Sequence, residues 1–242
     1  MRVGEDAARR LQALARITMN PVLAKLLRAE EVAAPDGRTI PLHSHLPELE
    51  GRLLQCWLDQ YRPSRLLEIG LAYGVSSLFI CDAVRRWKVD FYHVIDAFQS
   101  RDWKDIGRNN LAEAGYGDLV TVVEQLSELC LPQFLAQGHR YDFAFVDGMH
   151  TFDHVLIDFF YINRMLDVGG VVVFDDVDMP SVAKVLSYID GFDCYQRLDL
   201  PDGFPKSTPM KVRLVMGLTP TRIAGFVKIA EDVRGWDWYR DF

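Results

Sequence analysis

Leu66-Leu67-Glu68-Ile69-Gly70-Leu71-Ala72-Tyr73-Gly74-Val75-Ser76-Ser77 decides the fold. A short apolar run ends in an acid, two glycines follow with three residues between them, and an apolar helix-like stretch begins at once. Glycines suit a tight strand-to-helix turn, because backbone there must approach a neighbour or a ligand with no Cβ in the way. The spacing is ExGxxxG and not the GxGxxG that cradles a dinucleotide pyrophosphate.

Outward from this turn the pattern alternates. Arg65–Ile69, Phe91–Ile95, Val120–Val123, Phe143–Val146 and Val171–Phe174 read as short strands, apolar on both faces as strands buried between helix layers must be. Ser76–Trp87, Trp103–Ala114, Leu126–Ala136 and Phe152–Leu166 read as the helices between them. Strict alternation predicts a doubly wound α/β fold with a mostly parallel sheet and right-handed crossovers. After Pro180 one more helix is expected, then two strands, Cys194–Leu198 and Val212–Gly217, joined by the Pro- and Gly-rich Leu200–Pro209. With no helix between them they predict an antiparallel hairpin at the sheet edge. On the N-terminal side, Glu5–Glu31 is helix-like with Pro21 interrupting the run, Ala33–Ser44 reads as a loop, and Leu46–Tyr61 as a helix ended by Pro63. The expected organisation is a helical extension or lid over 1–45 and one α/β domain over 46–242.

Bulk properties narrow the function. The chain has 242 residues, 49% hydrophobic and 25% charged, with a net charge of -7. That balance argues against nucleic acid as partner, since duplex binders gather Lys and Arg on one face; Arg85, Arg86 and Lys88 read as the solvated end of a helix. The four cysteines, Cys56, Cys81, Cys130 and Cys194, lack CxxC spacing and sit in apolar surroundings, as buried free thiols of a reducing compartment do. Glu5 and Asp6 break any signal-like run, and no stretch is long and apolar enough to span a bilayer. The expectation is a cytoplasmic protein, not membrane-bound. The tail Gly235–Phe242, rich in Trp and Tyr, is expected to pack on the body or on a partner subunit, and with the N-terminal helix it hints at a homodimer.

Three strand ends carry chemistry. Asp96 ends the second strand, where an acid can take the two hydroxyls of a ribose. Asp147 ends the fourth, within Val146-Asp147-Gly148-Met149-His150, and Asp175-Asp176 end the fifth. Adjacent parallel strands bring these carboxylates to the rim that holds the glycine turn. Converging carboxylates repel unless a cation offsets them, and hard oxygens suit Mg²⁺ or Mn²⁺. Two reservations stand beside this. Consecutive strand residues point to opposite faces, so Asp175 and Asp176 share an ion only if the strand has bent, and the alternative is that the pair is partly an N-cap for the helix after Met179. Histidine in general, with a reference pKa of about 6.5, suits a general base, and His150 is the candidate; a His that only supports its neighbours, or that caps a helix begun by Thr151 or Asp153, is the alternative. His154 with Asp153 and Asp158 forms a rival cluster, and His43 and His45 stand before the first long helix, where they read as loop residues.

Together LLEIGLAYGVSSLFI, VIDAFQ, YDFAFVDGMHTFDHVLIDFF and GGVVVFDDVDMP resemble class I S-adenosylmethionine-dependent methyltransferases, in the branch of bacterial metal-dependent O-methyltransferases of macrocin and catechol type. The resemblance covers about half the chain. It implies a Rossmann-like fold and S-adenosylmethionine held by Glu68, Gly70 and Ala72 around the methionine moiety, Asp96 on the ribose and Ser127 near the adenine. Tyr73, Ser76, Ala97 and Asp147 are the further cofactor positions. It also implies ligation of Mg²⁺ or Mn²⁺ by Asp147, Asp175 and Asp176, with His150 and Asp147 in catalysis and a hydroxyl on a small molecule (sugar, phenol or natural-product intermediate) as acceptor. Metal-independent N- or C-methylation is the alternative; a NAD-dependent oxidoreductase, disfavoured by the absent GxGxxG, and a non-catalytic binding module rank below it.

Overall fold

The computed structural model describes residues 18–35, 37–201, 204 and 221–241. In chain order the elements are α1 (Pro21–Ala29), β1 (Glu31–Ala33), β2 (Thr39–Pro41), α2 (Glu48–Tyr61), β3 (Arg65–Ile69), α3 (Val75–Val84), β4 (Phe91–Ile95), α4 (Ile106–Glu113), β5 (Thr121–Val123), α5 (Ser127–Ala136), β6 (Tyr141–Val146), α6 (Phe152–Met165), β7 (Leu166–Phe174), α7 (Pro180–Ile189), β8 (Tyr195–Arg197) and β9 (Ala224–Lys228). The main sheet runs β5-β4-β3-β6-β7-β9-β8. Its first five strands are parallel; β9 joins both β7 and β8 antiparallel. This is the Rossmann-like α/β fold, with the antiparallel pair at one edge.

Alternation along each strand divides the core. Leu66, Tyr92, Phe143, Phe145, Val171 and Val173 face one helical layer, in a cluster that includes residues of α1 to α4. Leu67, Ile69, Ala144, Val146, Val172 and Phe174 face the other, with α5, α6 and α7. Both faces are covered, which is why the central strands are apolar throughout. Helix α3 is buried along its whole length.

Two expectations are corrected, and a third falls outside the described residues. Pro21 does not interrupt a helix but starts α1, at the first helical position, where its missing N–H costs nothing. Asn20 caps that helix, accepting from Val22 N at 2.9 Å. The rest of the expected first helix, over 1–17, lies outside the described residues. The stretch read as a loop holds the β1–β2 antiparallel hairpin, Glu31 opposite Pro41 and Ala33 opposite Thr39. The late strand expected at Val212–Gly217 also lies outside the described residues; the strand that pairs with β8 is β9, at Ala224–Lys228.

Residues 18–35 are tied to the body by a buried acid. Asp82, on α3, accepts from Asn20 N at 2.7 Å and from the Tyr116 hydroxyl, and Asn20 Nδ2 donates to Ala114 O at 3.0 Å. At the opposite terminus the aromatic tail divides. Trp238 packs on Tyr188 and Phe192, with Arg234 over its ring, whereas Trp236 and Tyr239 are exposed, at 98% and 77%. Arg85, Arg86 and Lys88 are solvated, as expected. Cys81, Cys130 and Cys194 are buried free thiols, and Cys56 is half-buried. Among the described residues no helix is long and apolar enough to cross a membrane.

Candidate active site at the sheet rim

The register of the parallel strands sets Ile95, Ile69, Val146 and Phe174 in one row across the sheet. The next residue on each strand is Asp96, Gly70, Asp147 and Asp175. Backbone hydrogen bonds carry the ladder one step further, from Asp96 N to Val123 O, Gly70 N to Ile95 O, Asp147 N to Ile69 O and Asp175 N to Val146 O, at 2.8–3.0 Å. The carboxylates therefore meet because the strands end together. The reversal of strand order between β3 and β6 opens a crevice at this rim, where open α/β sheets bind ligands.

That crevice is a cleft of about 740 Å³, counting the part open to solvent. Gly70, Ala72, Asp96, Ala97, Ser127 and Asp147 line it, all of them expected. Phe98, Trp103, Gln125, Leu126, Glu128, Met149 and His154 line it too and were not foreseen, apart from His154, placed in the rival cluster. Three expected contacts do not face the cleft. Glu68 is fully buried behind the turn, its carboxylate accepting from the hydroxyls of Ser76, Ser77 and Tyr92. Burial pushes its pKa up to about 7 against the pull of those donors. Ser76 and Tyr73 line a smaller crevice on the other side of the turn, with Ser44, His45 and Asp147. Tyr73 Oη is hydrogen-bonded to His43 Nε2 at 2.7 Å, and both rings pack on Trp103. So His43 is more than a loop residue: it clamps the segment before α2 onto the glycine turn.

The glycine turn is built by its neighbours. Gly70 has φ +96°, and a Cβ there would stand 1.9 Å from Asp147 O. Its glycine is required by the backbone of the adjacent strand end, not by a ligand alone. Asp96 braces the same turn. Its Oδ2 accepts from Leu71 N, Ala72 N and Gln99 Nε2 at 2.9–3.0 Å, and Oδ1 accepts from Phe98 N at 2.8 Å. Gln99, buried, is a residue the sequence did not single out.

At the Asp147 end, β7 has bent. Asp176 has φ +50°, a left-handed conformation that turns its side chain away from the alternation of the strand. Asp147, His150 and Asp176 each place a ligand atom within 4.8 Å of the others. His150 Nε2 lies 3.4 Å from Asp147 Oδ1 and 3.2 Å from Asp176 Oδ2, and it has no hydrogen bond of good geometry. Asp175 stands beside this trio, 5% exposed, with Oδ1 unpartnered. Burial, then the neighbouring Asp147 charge, holds the Asp175 carboxyl well above the usual carboxylate range, and burial raises Asp147 as well. Partly buried carboxylate oxygens on Asp147 and Asp176, with the buried, orphaned Asp175 oxygen beside them, fit a divalent cation. The capping alternatives fail: neither α7 nor α6 has a side-chain cap. Thr151 bonds instead to Asp153 and to His154 Nδ1 at 2.7 Å. The rival cluster is dispersed, since Asp158 is buried behind the cleft wall, its carboxyl pushed up to about 6 chiefly by that burial.

Arg222 and Glu50 complete the rim, and both were missed. The Arg222 guanidinium contacts Asp176 and lies 3.9 Å from Asp178 Oδ1; Arg222 N donates to Glu50 Oε1 at 2.9 Å. No local signal marked Arg222, which arrives from the far end of the chain.

The family model described as a methyltransferase domain matches residues 67–177. The chain is 27% identical over 161 residues to catechol O-methyltransferase of Bos taurus and 28% identical over 151 residues to catechol O-methyltransferase B of Danio rerio. The matches take in 62% and 61% of this chain, which spans 56% and 55% of the length of those proteins. Among solved structures, the fold is similar to an O-methyltransferase from Bacillus cereus in complex with SAH (TM-score 0.63, 18% identity, 86% of this chain and 90% of that one). It is similar also to the O-methyltransferase TomG from Streptomyces achromogenes in complex with SAM (TM-score 0.65, 20% identity, 88% and 92%).

Proposed function

We propose, from a chain whose residues 67–177 form a methyltransferase domain on a class I, Rossmann-like sheet, that the protein transfers the methyl group of S-adenosylmethionine to a hydroxyl of a small molecule. The observation that carries this reading is the shared rim. The cleft beside the glycine turn and the Asp147–His150–Asp176 cluster meet at Asp147, which belongs to both.

In this reading the adenosine lies in the cleft, between the Gln125–Glu128 wall and Asp96, and the methionine end lies beside Gly70 and Ala72. Asp96 keeps the turn in shape and offers its carboxylate edge to the ribose. Glu68, Tyr73 and Ser76 act from behind the turn, by holding it. Of the extension expected over 1–45, the segment with His43 and His45 acts as a lid, clamped through Tyr73 and Trp103. S-adenosylmethionine supplies an electrophilic methyl group on a sulfonium that leaves without a covalent intermediate. Asp147, Asp175 and Asp176 would hold Mg²⁺ or Mn²⁺, which supplies Lewis acidity that makes a bound hydroxyl more acidic. His150 takes the hydroxyl proton at Nε2, the ring nitrogen that faces the cluster and lacks a good hydrogen bond. The half-exposed Met149, at 47%, gives the acceptor an apolar edge to lie against. The acceptor is bound from solution in the cytoplasm, with no role for nucleic acid, by a homodimer or higher homo-oligomer.

A second reading, metal-independent transfer, draws on the contact between Arg222 and Asp176, which sets a cation of the chain itself against the acids. Chelation separates the two. Purified protein is stripped with EDTA and assayed against a panel of hydroxylated and aminated acceptors, with calorimetry for S-adenosylmethionine and NAD. The first reading expects binding of S-adenosylmethionine alone, O-methyl products, and activity lost on chelation and restored by Mg²⁺. Activity indifferent to chelation establishes the second; binding of NAD in its place sinks both.

A further inference from the structure

Arg222 is held by its backbone from two sides. Its N–H donates to Glu50 Oε1 on α2 at 2.9 Å, and its carbonyl accepts from Val177 N, in the turn that carries Asp175 and Asp176, also at 2.9 Å. The backbone is fixed relative to the acids while the side chain, 44% exposed, stays at the solvent edge of the cluster. From there the guanidinium contacts Asp176 Oδ1 and points toward Asp178. On the other side of Asp176, His150 Nε2 sits 3.2 Å from Oδ2. Asp176 thus has one oxygen toward His150 and one occupied by arginine. Asp175 Oδ1, buried beside them, has no partner at all.

We propose that Arg222 is the resting counter-cation of this acidic centre, and that a divalent cation loads by displacing its guanidinium from Asp176. The inference rests on the reading of Asp147, Asp175 and Asp176 as metal ligands. Its physical basis is exclusion: a guanidinium in contact with Asp176 Oδ1 and a doubly charged ion on the same carboxylate repel at contact distance, where screening by solvent is weakest. The side chain is free to leave because its anchorage is in the backbone, and Asp178 lies beside it as a second resting place. The orphaned Asp175 oxygen is what the arginine leaves unsatisfied and the metal satisfies. Metal affinity is then set by competition within the chain, and it is lower than the carboxylate count implies.

The test measures metal binding and not turnover. Free Mn²⁺ is followed by electron paramagnetic resonance as it is titrated into the wild type, R222Q, R222K and D176N, with S-adenosylmethionine calorimetry on each as the check on folding. The expected result is Mn²⁺ affinity at least about tenfold tighter in R222Q, with R222K close to the wild type and D176N weakest, because the competing charge has been removed, kept or made irrelevant. Should R222Q bind Mn²⁺ no tighter than the wild type, the competition does not exist, although the metal reading survives. Should neither bind Mn²⁺ at millimolar concentration, the metal reading itself fails and this inference with it, while S-adenosylmethionine binding still reports on the cofactor cleft. A second readout needs no variant. The Arg222 Nε–H resonance of the wild type is followed as Mg²⁺ is added: it is expected to move to the position of a free guanidinium as the site fills, and a resonance unmoved at saturation overturns the proposal.

Discussion

Gly70→Ala separates two roles of the turn glycine that are confounded in the sequence. If the glycine serves only the approach of a ligand, the variant folds normally and loses cofactor. The structure predicts otherwise. At φ +96° an alanine carries a left-handed penalty of about 1–2 kcal/mol. Its Cβ stands 1.9 Å from Asp147 O, and side-chain carbons essentially never come within 3.0 Å, so the two strand ends must part by about 1.1 Å. Two backbone bonds fix these residues, Gly70 N to Ile95 O on β4 and Asp147 N to Ile69 O across the β3–β6 seam, both 2.8 Å, and a shift of Gly70 away from Asp147 works against both. Losing them costs about 1 kcal/mol each. The expected destabilisation is about 3–4 kcal/mol, or a fall in Tm of about 6–16 °C for a domain of this size. The assay is thermal and urea unfolding without cofactor, run beside S-adenosylmethionine calorimetry. A variant that unfolds within about 1 kcal/mol of the wild type but no longer binds S-adenosylmethionine refutes the packing argument and restores the ligand as the reason for the glycine.

Three further outcomes are expected. His150→Ala lowers turnover roughly 10²–10⁴-fold with S-adenosylmethionine affinity little changed, since the cleft is lined by other strand ends; turnover near wild-type level assigns His150 a structural role. Asp96→Ala weakens S-adenosylmethionine binding by at least about tenfold and also lowers Tm, because four N–H donors lose their acceptor; an unchanged Tm in differential scanning calorimetry contradicts the bracing role. Glu68→Gln alters the pH dependence of stability. Its folded pKa of about 7 lies above the ordinary value of 4.5, so the folded state keeps its proton longer, and stability contributed below pH 4.5 is lost as pH rises through about 7. The loss is on the order of 3 kcal/mol at ~1.4 kcal/mol per pH unit, and urea titrations between pH 5 and 8 should find it reduced in the glutamine variant; identical slopes in both proteins exclude Glu68 as its source.

The parallel half of the sheet was legible because each strand and helix declares itself locally. The β3 stretch ends in an acid and a glycine, and β6 and β7 end in Asp147 and Asp175, so their meeting followed from the rule that parallel strands share a rim. What stayed hidden depended on contacts between distant segments. Pro21 reads as a breaker until Asn20 is seen to cap the helix it begins. The β1–β2 hairpin is two three-residue strands, too short for a period to show. Glu68, Tyr73 and Ser76 were assigned to the cofactor by analogy; what the sequence could not show is that Glu68 is buried against Tyr92 and that Tyr73 is bonded to His43, partners from other elements. Val212–Gly217 was read as a strand from its apolar run and lies outside the described residues; Ala224–Lys228, only five residues long, was not singled out. Arg222 could not be found from its neighbours, since only the docking of β9 brings it to Asp176.

That docking imposes an order of assembly. Strand β9 lies between β7 and β8, yet it is made after both. Among the described strands, β9 is the partner of β7 on that flank and the one that joins β8 to the sheet, so neither contact exists before residues 224–228 are made. Arg222 arrives with them. Until then Asp176 and Asp178 lack the guanidinium that faces them in the folded chain. The closing of this sheet edge and the delivery of a cation to the acids are thus one event, made by a short strand and the residue two places before it.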